Sequence, residues 1–178
     1  MLVDHHQRRL MATAYHLLND RDDAADAVQE AFLRAYRALD QYDETQRVGA
    51  WLGRIGVNVC LSMLRTRRRR PVAASGEWEA RAPEYGYLRV EQAMVLRAAL
   101  AALDERDRAM VLLRHIHGLT SAEIGATIGL PAATVRTRLA RGLQAIRVVL
   151  PEVADLRDLE ESLSVGIVAH EREDGFGK

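Results

Sequence analysis

The chain has 178 residues, 48% of them hydrophobic and 5% aromatic, with 25 basic and 25 acidic side chains that cancel to a formal net charge of zero. No apolar run approaches the roughly 18 residues of a membrane span, no secretory leader pattern opens the sequence, and the single cysteine, Cys60, excludes a disulfide framework or a Cys-based zinc site. A cytoplasmic protein without membrane insertion, built from one or two small helix-rich domains, is expected.

The neutral average hides a segregation of charge. Residues 45–76 contain no Asp or Glu but carry Arg47, Arg54, Arg65 and Arg67 to Arg70, and residues 124–151 repeat the pattern with Arg136, Arg138, Arg141 and Arg147. Acidic residues gather in 20–30 and after Pro151. Two separate basic surfaces on a neutral protein point to two contacts with a polyanion.

In chain order, apolar spacing predicts a first helix over about 3–18, with Leu10, Ala14 and Leu17 or Leu18 inward. Residues 19–23 break it, and Asp22 or Asp23 is expected to cap the next helix, about 24–39, which would bury Val28, Phe32, Tyr36 and Leu39. A polar loop over 40–46 leads to a third helix, about 48–68, with Trp51, Leu52, Ile55, Val59 and Leu64 inward. The arginine run and Pro71 close this unit at residue 70. Residues 71–87, with Pro71, Ser75, Gly76, Pro83 and Gly86, read as an irregular linker in which Trp78, Tyr85 and Tyr87 could anchor. A second unit over 88–150 opens with helices at about 88–103 and 104–118. Beyond it lies an acidic tail, 151–178, with a short helix expected at 151–163 and a disordered end. No strand-like alternation occurs, so the fold expected is all-α, with two small helical domains joined by the linker.

The second unit carries the most specific local pattern. Thr120 followed by Glu123 is a capping box that satisfies free N–H groups where a helix begins. Ala122, Ile124, Ala126 and Ile128 give that helix apolar surface to bury, and Gly129-Leu130-Pro131 ends it. A second helix starts at Ala132 or Ala133, with Val135, Leu139, Leu143 and Ile146 on its inward face. Its opposite face carries Thr134, Arg136, Thr137, Arg138 and Arg141, and no carboxylate competes with them. Arg can grip guanine edges bidentately, and Thr can reach phosphates or a thymine methyl. Two helices joined by a tight Gly-containing turn, the second basic on its exposed face, form a helix-turn-helix.

Elsewhere Asp26, Gln29 and Glu30 fall on one face of the second helix, either a solvated face or a dock for a basic partner helix. The third helix sets Arg54, Asn58 and Arg65 beside Trp51, an arrangement that could hold single-stranded or partly opened DNA, although Trp51 also fits a core position. His5-His6 and His115/His117 lack matching ligands and read as surface or packing residues. No nucleophile–base pair, phosphate-cradling loop or catalytic carboxylate pair is present, so no catalytic residues, metal or cofactor are expected. On these features alone, a stand-alone helix-turn-helix regulator binding a palindromic site is the alternative reading, with an RNA-binding adaptor using the arginine run behind it.

Taken in order, these segments resemble bacterial sigma factors of the extracytoplasmic-function (ECF, group IV) class. Asp22-Asp23-Ala24-Ala25-Asp26-Ala27-Val28-Gln29-Glu30-Ala31-Phe32 is similar to the family's region 2.2 signature. Ala50-Trp51-Leu52-Gly53-Arg54-Ile55-Gly56-Val57-Asn58 resembles regions 2.3 and 2.4, and Leu103-Asp104-Glu105-Arg106-Asp107-Arg108 with the helix-turn-helix resembles region 4. The resemblance covers about residues 10–150. It departs at Ser62, where Asp is common, and at Ala133, where Gly often precedes Thr-Val. It implies a non-catalytic initiation factor whose partners are core RNA polymerase (β′ and β subunits), promoter DNA and an anti-sigma factor. It also implies roles for the residues above. Asp26, Gln29 and Glu30 would dock on β′. Trp51, Arg54, Asn58 and Arg65, with the 40–46 loop, would recognise and open the minus-ten element. Thr134, Arg136, Thr137, Arg138 and Arg141 would read the minus-thirty-five element. The linker, with Glu77, Glu79 and Glu84, would run toward the RNA-exit channel.

Overall fold

The computed structural model describes residues 2–69 and 87–150, with side chains described for 5–69 and 94–150. The expected linker and acidic tail, including its short helix, lie outside the described residues, apart from Tyr87, which opens a helix. Seven α-helices are found among the described residues and no strand: α1 (Leu2–Leu18), α2 (Arg21–Arg37), α3 (Val48–Arg69), α4 (Tyr87–Ala101), α5 (Glu105–His115), α6 (Ser121–Ile128) and α7 (Ala132–Val149). A short 3₁₀ turn, Leu39–Gln41, follows α2.

Helices α1, α2 and α3 pack against one another as a three-helix unit. Leu10, Ala14, Leu17 and Leu18 of α1 are buried as the spacing predicts. Only Asn19 and Asp20 separate α1 from α2. Asn19 takes the left-handed conformation (φ 55°) and its N–H returns to the Tyr15 carbonyl at 2.9 Å, so it closes α1 in a way Asn tolerates. Asp20, rather than Asp22 or Asp23, caps α2: its Oδ1 accepts from the Asp23 N–H at 3.0 Å, and α2 starts three residues earlier than expected.

The inward face of α2 is a stripe of small residues, Ala24, Ala27, Val28, Ala31 and Ala35. That stripe corrects two expectations. Tyr36 is 78% exposed and Leu39 is 55% exposed. Tyr36 lies about 100° around the axis from Ala35, and α2 ends at Arg37 before Leu39 could turn inward. Phe32 and, on α3, Trp51, Ile55 and Leu64 are partly buried against the core rather than within it.

The second unit winds around α5, which is buried from Arg108 to Leu113 and again at His115. Its N-cap is Asp104. Helices α6 and α7 pack directly on it, and α4 packs against α7 and α1. The buried apolar residues of both units form one continuous core, from Leu10 on α1 through Leu112 on α5 to Ile146 on α7.

Hydrogen bonds fix the junction between units. The Arg108 guanidinium donates to the carbonyls of His16 (3.4 Å) and Leu17 (3.2 Å) at the end of α1, and to those of Ala101 (3.0 Å) and Leu103 (3.1 Å) at the end of α4. A cation is favoured there, because the last carbonyls of a helix lack intrahelical partners and carry the negative end of its dipole. Arg47 donates to the Gly118 carbonyl at 2.7 Å, and Arg68 pairs with Glu105 at 3.1 Å. The buried His117 ring sits between Thr13 Oγ1 (2.8 Å) and the Gly49 carbonyl (3.1 Å).

Candidate nucleic-acid interface

The helix-turn-helix is built as its local chemistry dictates. Thr120 N–H and Oγ1–H donate to Glu123 Oε2 at 2.6 and 2.7 Å, and the Glu123 N–H returns to Thr120 Oγ1 at 3.2 Å, a complete capping box. These Thr120 bonds, and more distantly Arg47 and Arg54, hold the Glu123 carboxyl below its usual range. The turn after α6 is tight: Gly129 and Leu130 N–H groups both reach the Gly125 carbonyl, at 2.8 and 3.0 Å. A Cβ on Gly125 would lie 2.4 Å from the Leu130 carbonyl oxygen, so only glycine permits this approach. Of the apolar residues expected to bury α6, Ile124 is buried and Ile128 partly so, while Ala122 and Ala126 are exposed. A helix of eight residues has room for one narrow contact stripe, and small alanines at its edges leave little to bury.

On α7, Val135, Leu139 and Ile146 are buried and Leu143 is partly buried, all on the expected face. Thr134, Arg136, Thr137 and Arg141 are exposed together on the other. Arg138 differs. Its side chain is only 32% exposed and its guanidinium lies 3.3 Å from the Asp107 carboxylate on α5. The structure thus gathers four of the five helix-turn-helix candidates on an open face and pins the fifth to the helix behind it.

The second basic surface runs along α3. Trp51 is partly buried and its ring lies 4.8 Å from that of Tyr42 in the preceding loop. Arg54 donates to the Gln46 side chain of the same loop, which ties loop and helix together. Asn58 and Arg65 are exposed; Arg65 Nε donates back to the Leu61 carbonyl at 3.3 Å. A solvent-open cleft of about 300 Å³ lies between Trp51, Arg54, Ile55 and Asn58 on one side and Ala126 and Thr127 of α6 on the other. Thus three of the four α3 candidates converge on one cleft, and Arg65 stands two turns away.

On α2, Asp26 and Gln29 are exposed, and Glu30 is partly so and pairs with Arg34 at 2.7 Å. Exposed Leu33 and Tyr36 continue the same side of the helix. Among the described residues no group of three or more His, Cys, Asp and Glu could hold a metal ion, and no helix is long and apolar enough to cross a membrane. His115 and His117 are packing residues. Burial pushes their pKa values down to about 4 and about 3, with Arg114 and Arg9 respectively adding to it, so both rings are neutral near pH 7. Residue patterns missed the parts played by His117, Arg108 and Asp107. Their partners lie on other helices; the only local signal was an apolar-flanked histidine just before Gly118.

The family described as Sigma-70 region 2 matches residues 2–70, and that described as Sigma-70, region 4 matches residues 93–146. The chain is 39% identical over 152 residues to the ECF RNA polymerase sigma factor SigE of Mycolicibacterium smegmatis, covering 82% of this chain and 59% of that protein. Against the ECF RNA polymerase sigma-E factor of Escherichia coli strain K12 it is 34% identical over 137 residues, covering 70% and 72% of the two chains. Among solved structures, the sigma factor RpoE in complex with the anti-sigma factor NepR from Bartonella quintana matches with a TM-score of 0.68 at 24% identity, covering 84% of this chain and 94% of that one. With both region matches in order and relatives at this identity over most of their length, the chain belongs to the sigma-70 family, in its extracytoplasmic-function branch.

Proposed function

We propose that this chain is a promoter-specificity factor: it binds core RNA polymerase in the cytoplasm, carries it to a two-part promoter and assists strand opening without covalent chemistry. Family membership together with three distinct exposed faces on one chain carries this reading. Asp26, Gln29 and Glu30 on α2 dock the β′ subunit. Trp51, Arg54, Asn58 and Arg65 on α3 recognise and hold opened minus-ten DNA, with arginines meeting phosphates and Trp51 offering a ring to an exposed base. Thr134, Arg136, Thr137, Arg138 and Arg141 on α7 read the minus-thirty-five element in the major groove. Residues 1–70 form the polymerase-docking and minus-ten domain, and 88–150 the minus-thirty-five domain. An anti-sigma factor restrains it, as one accompanies the solved relative.

Run-off transcription with core polymerase on a randomised promoter library tests the proposal. Transcripts enriched for two spaced sequence elements, absent when either component is omitted, are expected. Tight and specific duplex binding by the chain alone, with no transcription in the presence of polymerase, would establish a stand-alone regulator instead.

A further inference from the structure

We propose that residues 151–163 fold back as a helix along α7 and cover the face it turns to the minus-thirty-five element while promoter DNA is absent. The inference rests on the minus-thirty-five assignment of α7 and adds to it a second occupant of the same face, supplied by the chain itself.

Charge and apolar pattern both point to this occupant. The exposed residues Thr137, Arg141, Gln144 and Val148 follow one another at steps of four, three and four, so they form a single stripe along α7. Val148 is 80% exposed and gives the stripe an apolar end. Arg136 and Arg147 border it, and residues 124–150 contain no Asp or Glu. One arginine of this helix is already held by a carboxylate of the same chain, Arg138 by Asp107 at 3.3 Å. The segment that follows has the complementary make-up. By spacing, Val153, Leu156, Leu159 and Leu163 share one side of a helix, and five acidic residues between 152 and 161 stand against a lone Arg157.

Lengths agree as well. Helix α7 ends at Val149, and its C-cap Leu150 leaves the helical conformation (φ −128°, ψ 74°) with its side chain buried, so the segment starts from a fixed point at the end of the stripe. A helix over 151–163 spans about 20 Å, the distance from Leu150 back to Thr137 along α7. Run antiparallel, it brings apolar residues to Val148 and carboxylates to Arg141, Arg136 and Arg147. The short tether keeps it at a roughly millimolar effective concentration, so each contact can be weak. The major groove, about 12 Å wide, admits one helix of about 10–12 Å diameter. Two helices stacked on each other do not enter it, so the covered face cannot read bases.

Spin labels at Ala133→Cys, an exposed position near the start of α7, and Ser162→Cys report the fold-back. Cys60 is 1% exposed and burial pushes its thiol up to about 12, so it stays unlabelled. The two backbone positions lie about 15 Å apart if the segment returns along α7 and about 45 Å apart if it runs on beyond it. The full chain, diluted in excess unlabelled chain, is expected to give the short distance, which lengthens in the double variant Leu156→Gln/Leu163→Gln. That variant changes no charge, so a gain in DNA affinity reports release of the face rather than a more basic protein. Affinity for a short duplex of the selected minus-thirty-five sequence, measured without polymerase, is expected to rise on the order of tenfold, as it does when a binding-competent state goes from a tenth to fully populated. A long distance in the parent chain would overturn the proposal. So would a short one that disappears on dilution, which marks the segment of a second copy, or a released segment with unmoved duplex affinity. Failure of the minus-thirty-five reading shows separately, as duplex binding by the double variant that Arg141→Ala leaves unchanged.

Discussion

Arg138 shows how one contact sets what a side chain can do. Its guanidinium is held 3.3 Å from Asp107 on α5, whereas Arg136 and Arg141 extend into solvent. A pre-oriented arginine loses less freedom on gripping a base, so Arg138→Ala is expected to cost roughly 1–3 kcal/mol of discrimination at one base pair of the minus-thirty-five element. Promoter ranking on single-base variants measures it, and Asp107→Ala should blur preference at that same base pair while leaving the others in order. Gln29→Ala is expected to weaken polymerase binding with the helix-turn-helix still folded, read by pull-down of core polymerase beside far-ultraviolet circular dichroism. Which residues share the α7 face was legible from spacing alone. That Arg138 answers to Asp107 was not, because the crossing of α5 and α7 brings together residues 31 positions apart.

Within a single helix, sequence spacing is enough wherever the chemistry is local. The capping box of α6 needs only residues three apart, and both of its reciprocal bonds are present. Thr120→Ala is expected to cost about 1 kcal/mol in urea unfolding. Glu123 adds a pH dependence. Its carboxyl is held below the usual range chiefly by Thr120, so the stability it contributes is complete above the ordinary carboxylate value and is lost as pH falls through its lower folded value. Unfolding midpoints should therefore drop more steeply in acid for the parent chain than for Glu123→Gln. The reading failed where a neighbour decides. Asp20, Asp22 and Asp23 are all competent caps, and the choice among them follows from the two-residue turn that Asn19 allows. Tyr36 and Leu39 are large and apolar, yet α2 packs through its alanines, a close approach that leaves the large residues outside.

For the whole molecule, charge segregation and motif order suffice to propose two DNA-reading surfaces and a docking face, whereas the junction between the units was invisible in the sequence. It depends on Arg108 meeting the end of α1 and on His117 meeting Thr13 of α1 and Gly53 of α3, each unremarkable in its own segment. His117 gives the junction a pH dependence whose sign is fixed. Burial first, and then the nearby Arg9, depress its pKa from 6.5 to about 3, with His6 acting in the same direction and the Gly49 carbonyl opposing. Arg47 lies beside the adjacent Gly118, and Glu123 faces Arg47 and Arg54. A ring released on opening regains its proton below about 6.5, so closure is intact above that value and erodes as pH falls. Lowering pH from 7.5 to 5.5 should favour opening of the junction about tenfold, seen as a longer separation between spin labels on the exposed positions Arg37→Cys and Gln144→Cys and lost in His117→Gln.

On the function proposed, the helix-turn-helix reads DNA only as part of a polymerase-borne factor. Titrating a fluorescent duplex carrying both selected promoter elements, with the chain alone and with core polymerase, tests it most directly. Specific binding is expected only with polymerase present, abolished by scrambling either element. Equal affinity and specificity without polymerase would show a reader that works alone.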